Sequence, residues 1–222
     1  MLITTAGEQL ELMPERAIYW PATSTLIVAD LHWGKAASFR AAGIPVPGGT
    51  TAADLARLDA ALVRTGARRL LVLGDLIHAR TAQQARSTLA LLHDWRARWS
   101  GLECILVRGN HDYAAGDPPP GLGFHVLDQH HESPFVFRHH PGVSDLGYVL
   151  AGHLHPGIRL SGRGDRLRLP CFHFGRACGI LPAFGSFTGW AAPEVAPGDR
   201  LFVIGDDEVH ALPMEHEPST RN

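Results

Sequence analysis

The chain has 222 residues, of which 45% are hydrophobic and 19% charged, with 20 basic against 22 acidic residues and a formal net charge of −2. That composition excludes a disordered or low-complexity chain and is long enough to close a full hydrophobic core. It also excludes a globally basic nucleic-acid binder, leaving only local patches for such a role.

Thr25–Ala29 (TLIVA) is too short for a helix and rich in strand formers, so it reads as a first buried strand. Thr51–Asp54 (TAAD) reads as a capping box opening a helix with Leu55, Leu58 and Leu62 on one face, stopped at Gly66. Arg69–Leu73 is a second strand. A longer helix is expected from about Thr81 to Trp99, with Leu89, Leu92, Trp95 and Trp99 sharing a face, and Cys104–Val107 is a third strand. Strands alternating with helices in this way point to an α/β sheet built by crossovers. After a Pro/Gly-rich loop at Ala114–Gly123 the texture becomes strand-like, at Phe135–Arg138, Tyr148–Ala151, Arg166–Phe174, Leu201–Ile204 and Glu208–Leu212. No internal repeat and no long linker appears. Residues 1–214 are therefore expected to form one domain and residues 215–222 a polar, frayed tail.

Cys104, Cys171 and Cys178 form no CxxC pair, which fits a reducing compartment. The first 20 residues lack the basic start and apolar run of a secretory signal, and no apolar stretch approaches the roughly 20 residues that span a bilayer. The expectation is a cytoplasmic protein with no membrane segment.

The chemistry collects where the apolar runs end. TLIVA runs into Asp30 and His32, RLLVL into Gly74-Asp75, CILVR into Gly109–Asp112 (GNHD), FVFR into His139-His140, and YVLA into Gly152–His155 (GHLH). In α/β sheets, ligands bind beyond the carboxyl ends of the strands. Residues two apart in an extended segment face the same way, so Asp30 and His32, like His153 and His155, can converge on one centre. Glycines before Asp75, Asn110 and His153 permit backbone conformations closed to other residues. Carboxylate, imidazole and amide oxygen without thiolate suit Mn²⁺, Fe²⁺ or Zn²⁺ and not a cysteine-rich structural zinc site. Any one of these clusters alone is usually a turn or a core histidine. Their joint recurrence after successive apolar strands is not explained that way.

In this order the five motifs resemble those of the calcineurin-like binuclear metallophosphoesterase superfamily. The resemblance implies an α/β fold, a four-layer α/β/β/α sandwich of two mixed β-sheets flanked by helices. It implies two divalent metal ions, one held by Asp30, His32 and His155, the other by Asn110, His153 and an isolated histidine, with Asp75 bridging both. That histidine is His139 or His140. The spacing found in relatives, one variable residue and then Gly or Pro, selects His139. Two such ions acidify a shared water, and the resulting hydroxide attacks phosphorus in line with the leaving oxygen. His111 is then expected to protonate the leaving alkoxide, with Asp112 orienting its imidazole; the other readings of His111 are a third metal ligand or a residue standing behind the ligands.

Asp30–Lys35 (DLHWGK), Phe39-Arg40, Gly43–Pro47 (GIPVP) and Leu181–Gly189 (LPAFGSFTG) resemble a narrower bacterial branch, the ligase-associated DNA damage response endonucleases, encoded beside a helicase, an exonuclease and a DNA ligase. That implies a manganese-dependent phosphodiesterase cutting DNA, single-stranded DNA in particular, in repair. Lys35, the sole lysine, and Arg40 can contact phosphate or be solvated surface charges. Arg159 and Arg163, with Arg166 and Arg168, can form a phosphate-tracking rim around a hairpin turn at Ser161–Asp165, or an ordinary polar hairpin. Trp33 and Trp190 can stack on bases or simply pack. The other functions open to such a chain are a phosphatase or small-molecule phosphodiesterase acting on nucleotides, and a non-catalytic scaffold. The intact ligand set argues against the scaffold, and the absence of an obvious capping domain suits a polymer. Nothing in the sequence indicates an oligomeric state.

Overall fold

The computed structural model describes residues 1–161 and 166–213. Before the first anticipated strand lies a meander, β1 (Leu2–Thr5), β2 (Glu8–Met13) and β3 (Ala17–Trp20), which leads antiparallel into β4 (Thr25–Val28). Helices α1 (Lys35–Ala41) and α2 (Thr50–Thr65) precede β5 (Arg69–Leu73); α3 (Arg80–Gln84) and α4 (Arg86–Arg98) precede β6 (Glu103–Val107); α5 (Asn110–Ala115) precedes β7 (Phe124–Leu127). These strands form one sheet in the order β1-β2-β3-β4-β5-β6-β7, parallel from β4 onward. The second sheet takes β8 (His130–Glu132), β9 (Phe135–Phe137), β10 (Tyr148–Ala151), β12 (Arg166–Phe174), β13 (Cys178–Ile180), β14 (Arg200–Gly205) and β15 (Glu208–Ala211). Its order is β15-β14-β12-β13-β10-β9-β8, and β11 (Gly157–Ser161) hairpins onto β12. The expected α/β class, two mixed sheets flanked by helices, is what the chain adopts.

The unbroken apolar runs have a simple cause. Along β4, β5 and β6 alternate side chains enter different cores. Leu26, Val28, Leu70, Val72 and Leu106 face the helices, while Ile27, Leu71, Leu73, Ile105 and Val107 face the second sheet. Strands buried on both faces need no polar alternation. From the other side Phe135, Phe137, Phe172, Phe174 and Phe202 fill the space between the sheets.

Two expectations about the helices are corrected. Helix α2 starts at Thr50 with Gly49 as an uncapped N-terminus, and TAAD is no capping box. Thr51 Oγ1 accepts from the Gly34 amide at 3.1 Å, and the buried Asp54 carboxylate accepts from Ser186 and Arg57. A missing cap costs about 1 kcal/mol, whereas burying Leu55, Leu58 and Leu62 contributes roughly 1.5–3 kcal/mol each, so packing decides the helix. The expected helix from Thr81 to Trp99 is broken at Ala85, which is extended at φ −73°, ψ 106°. The break lets α3 pack on α1, where Ala82 lies so near Gly34 that a Cβ on the glycine would meet the alanine Cβ at 2.5 Å.

No helix among the described residues is long and apolar enough to cross a membrane.

A candidate metal centre at the strand ends

The loops after β4, β5, β6, β9 and β10 meet at one end of the two-sheet stack, and they do so through strained backbone. Asp30, His32, Asp75, His153 and His155 all have φ between +47° and +71°. The expected convergence through an extended i, i+2 repeat is therefore corrected: left-handed kinks aim these side chains. Residues other than glycine rarely occupy that region, and when they do the surroundings hold them there. Here the hold is a set of backbone bonds between loops. Asp30 N donates to Gly74 O (3.1 Å), His32 N to Asp75 O (2.9 Å), His153 N to Asp30 Oδ2 (2.9 Å) and His111 N to Asp75 Oδ1 (2.9 Å).

The motif glycines are also reinterpreted. Gly74 does sit at φ +82°, but Gly109 at φ −100° does not need glycine's freedom. What Gly109 supplies is room, since a Cβ there would lie 2.2 Å from Asp75 Oδ1; likewise a Cβ on Gly152 would lie 2.5 Å from Asp30 Oδ2.

Asp30 and Asp75 are almost wholly buried, and their ion-pair neighbours within 4.0 Å are all histidines. His32 Nε2 is 3.6 Å from Asp75 Oδ2, and His155 Nε2 is 3.4 Å from Asp30 Oδ1. Burial, then Lys35 and three neighbouring histidines, push His32 down to about 2, so its ring is neutral and keeps a lone pair. Opposite, His139 Nε2 lies 3.0 Å from Asn110 Oδ1, 3.1 Å from His153 Nδ1 and 3.6 Å from Asp75 Oδ1. Burial, with His139 and His140, lowers His153 as well. Backbone carbonyls can only accept, so they orient two of these rings. His139 Nδ1–H donates to Leu73 O (2.9 Å) and His155 Nδ1–H to Gly189 O (3.1 Å), which turns each Nε2 lone pair inward. Of the two candidate histidines, His139 is buried against Asp75 and Asn110; His140 is exposed, its ring 4.2 Å from that of His153.

This donor set fits a cation. Asp30 Oδ1 and His32 Nε2 are buried without a hydrogen-bond partner. An unsatisfied buried polar atom costs about 1–3 kcal/mol, and an uncompensated buried charge costs more. Of four groups among the described residues that could hold an ion, two, Asp30/His32/His155 and Asp30/Asp75/His139, share Asp30; the others are His32/His78/His111 and His139/His140/His153. Carboxylate, imidazole and amide oxygens fit borderline-to-hard divalent ions.

The remaining predicted residues divide. His111 is half-exposed, its Nδ1 on His78 O (2.9 Å) and its Nε2 4.0 Å from Asp75 Oδ2. Asp112 does not orient it, which is a correction. The Asp112 carboxylate accepts from Gly109 N (2.8 Å), Asp75 N (2.7 Å) and Leu76 N (3.0 Å), because it caps α5 and ties that helix to the β5 loop. Lys35 opens α1, half-buried; burial lowers its ammonium and the Asp75 carboxylate opposes that in part. Arg40 is not brought to the centre: it is exposed and donates to Pro47 O (3.1 Å). Trp33 is core, against Trp95. Arg159 is exposed beside Trp190. Arg163 and the side chain of Arg166 lie outside the described residues, as does the tail at 215–222.

The sequence reading missed His78. Its Nδ1 is 3.4 Å from His32 Nδ1 and its ring stacks on His111 at 4.9 Å. Burial first, then Lys35 and His111, bring it down to about 4. Its only signal was its place three residues after Asp75.

The calcineurin-like phosphoesterase family profile matches residues 23–176. Among solved structures, nuclease MPE of Pseudomonas putida is 44% identical, with 96% of this chain and 99% of that chain covered and a TM-score of 0.84. Yfce, a phosphoesterase from E. coli, is 12% identical over 83% of this chain and 90% of that one, with a TM-score of 0.40. No curated protein matches the chain.

Proposed function

The chain belongs to the calcineurin-like phosphoesterase family and is a metal-dependent phosphoesterase, and from that premise we propose that it is a phosphodiesterase that cuts DNA. Asp30, His32 and His155 would hold one divalent ion and Asn110, His139 and His153 a second, with Asp75 serving both. The donor set suits Mn²⁺, Fe²⁺ or Zn²⁺, and the resemblance of the Asp30–Lys35 and Leu181–Gly189 segments favours Mn²⁺ among them. When bound, the two ions supply a water acidified to near neutrality and charge neutralisation at the phosphoryl oxygens.

The protein's own groups do the rest. His111 Nδ1–H is engaged by the His78 carbonyl, so Nε2 of the imidazolium faces the centre and carries the proton for the leaving oxygen. Asp112 acts through the backbone: by accepting the amides of Gly109, Asp75 and Leu76 it fixes α5, and with it Asn110 and His111, relative to Asp75. The Lys35 ammonium contacts a non-bridging phosphate oxygen. A nucleic-acid diester is supported by likeness over nearly the whole chain to a protein described as a nuclease; the choice of DNA, single-stranded DNA first, rests on the resemblance of the flanking segments. A place in DNA repair, working with a ligase, a helicase and an exonuclease in the cytoplasm, rests on the Asp30–Lys35 and Leu181–Gly189 segments alone.

The observation that carries the proposal is the pair of buried atoms without a hydrogen-bond partner, Asp30 Oδ1 and His32 Nε2, where two groups of candidate ligands share Asp30. The test is single-stranded circular DNA incubated with Mn²⁺ and the protein. Linearisation is expected. Intact circles alongside hydrolysis of a nucleotide monoester would replace the nuclease with a phosphatase.

A further inference from the structure

A pocket of about 130 Å³ opens directly beside His155, outside the ring of candidate metal ligands. Three separate parts of the chain build it: the β2–β3 turn through Arg16, the β11–β12 hairpin through Arg168, and the loop carrying Ser186, Thr188 and Trp190.

Three arginines meet at or beside it, and among the described residues Arg16, Arg159 and Arg168 have no carboxylate within ion-pair distance. Arg16 sits at φ +63° in a tight turn, a conformation an arginine adopts only under constraint. Its Nη1 makes only long contacts, 3.4 and 3.5 Å, to the carbonyls of Ala183 and Gly185. The nearby Asp54 is already engaged by Arg57 and Ser186. Arg159 and Arg168 are directly opposite one another in the antiparallel register of β11 and β12. Like charges so placed repel. Both guanidinium carbons lie over the Trp190 ring, at 5.9 and 5.5 Å from its centroid, which offsets the repulsion only in part. The indole itself is seated against Gly157, where a Cβ would come within 3.1 Å of it. The arrangement is one that a bound anion would complete.

The pocket is also mechanically joined to the metal centre. Gly189 O receives the His155 Nδ1–H, Ala191 N donates to His155 O (3.1 Å), and Gly157 N donates to Ala191 O (3.0 Å). What sits against Trp190 therefore sits one residue from a candidate metal ligand.

We infer that this pocket is a nucleotide subsite, taking the phosphate next to the scissile one between Arg16 and Arg168, with the adjoining base stacked on Trp190. The inference rests on the phosphodiesterase reading of the metal centre and adds to it how a polynucleotide is held. Positive side chains that track the backbone beside an aromatic platform are the general means of holding single strands.

The test compares substrates and variants together, with Mn²⁺-loaded protein. The substrates are bis(p-nitrophenyl) phosphate, a trithymidylate with two normal diesters, and the two trithymidylates in which a neutral methylphosphonate replaces the 5′ or the 3′ linkage, with cleavage at the remaining diester followed. For Arg168→Gln and Trp190→Leu the ratio of trinucleotide to small-diester kcat/KM is expected to fall five- to tenfold, mainly through KM, with Arg168→Lys recovering part of the loss. In one of the two placements the methylphosphonate should cost the unaltered protein as much as Arg168→Gln does, and the two losses should not add. Trinucleotide cleavage with an unchanged ratio in both variants, or with fully additive losses, would overturn the subsite while leaving the nuclease intact. Hydrolysis of the small diester with no cleavage of any trinucleotide would remove the nuclease reading itself. Arg168 is exposed on a hairpin, so its variants report even where Trp190→Leu fails to fold.

Discussion

The strand-end centre and the Trp190 ledge lie side by side, joined through His155, yet they are built on opposite principles. At the centre the carboxylates are buried, the backbone is held in left-handed kinks, and neighbouring glycines leave room for one ligand position only. On the ledge the charged groups are exposed or half-buried and contact one another through an indole face. The contrast separates chemistry, which needs atoms fixed to a fraction of an ångström, from recognition of a flexible polymer, which tolerates adjustable side chains.

Changes at the centre should therefore cost far more than changes on the ledge. The largest effect is expected for Asp75→Asn, which keeps the shape but removes the shared charge; kcat should fall by roughly 10³ or more, on the scale of losing one charge-stabilising group at a reacting centre, for small diester and DNA alike. Next is Gly109→Ala, a single methyl that must displace Asp75 Oδ1 from 2.2 Å. Activity should fall at least about tenfold, given the sensitivity of catalysis to small misplacements, while far-ultraviolet circular dichroism stays native. A Gly109→Ala protein of unaltered activity would show that the centre is looser than its geometry. Third, His78→Ala should weaken metal binding about tenfold, the lower end of what a group behind a ligand contributes, because it steadies the far nitrogen of His32; titration with Mn²⁺ measures it. The ledge variants come below these, and only on polynucleotides.

The smallest expected effect concerns two buried thiols. Burial pushes the Cys104 thiol, at the start of β6 and away from the strand end that meets the centre, up to about 11, and the Cys171 thiol of β12, next to the Arg168–Pro170 stretch of the ledge, up to about 12. Their thiolates are scarce at pH 8, so both should resist a thiol reagent in the native protein and react at once in denaturant. Because the folded values are raised, their contribution to stability holds below the ordinary value of 9 and is lost as pH climbs through 11–12. Fast native-state labelling of Cys171 but not Cys104 would mark the ledge as loose down to its core.

What was legible in the sequence follows the same division. β4, β5 and β6 announce themselves because both faces are buried, and the motif residues follow strands whose ends must carry the polar groups. The β1–β3 meander passes unread although Leu10 and Leu12 alternate with polar residues, the pattern of a strand with one buried face. Ala85 breaks a helix that local propensity would continue, because α3 must reach α1. Gly109 and Gly152 look like turn formers, but their necessity comes from Asp75 and Asp30, partners 34 and 122 positions away by residue number. Arg16 carries no local signal and His78 only its place three residues after Asp75, since what brings them to the site is pairing between distant segments. Asp112 reads as a partner for the adjacent His111 and instead binds the amides of another loop.

The most direct measurement is the number of Mn²⁺ ions bound per chain by metal-stripped protein, by isothermal titration with elemental analysis of the loaded sample. Two ions are expected for the unaltered protein, with Asp75→Asn losing at least one or weakening both about a hundredfold, as befits a carboxylate shared between them. A single ion per chain, or two ions bound by Asp75→Asn with unaltered affinity, would contradict a two-ion centre built around Asp75.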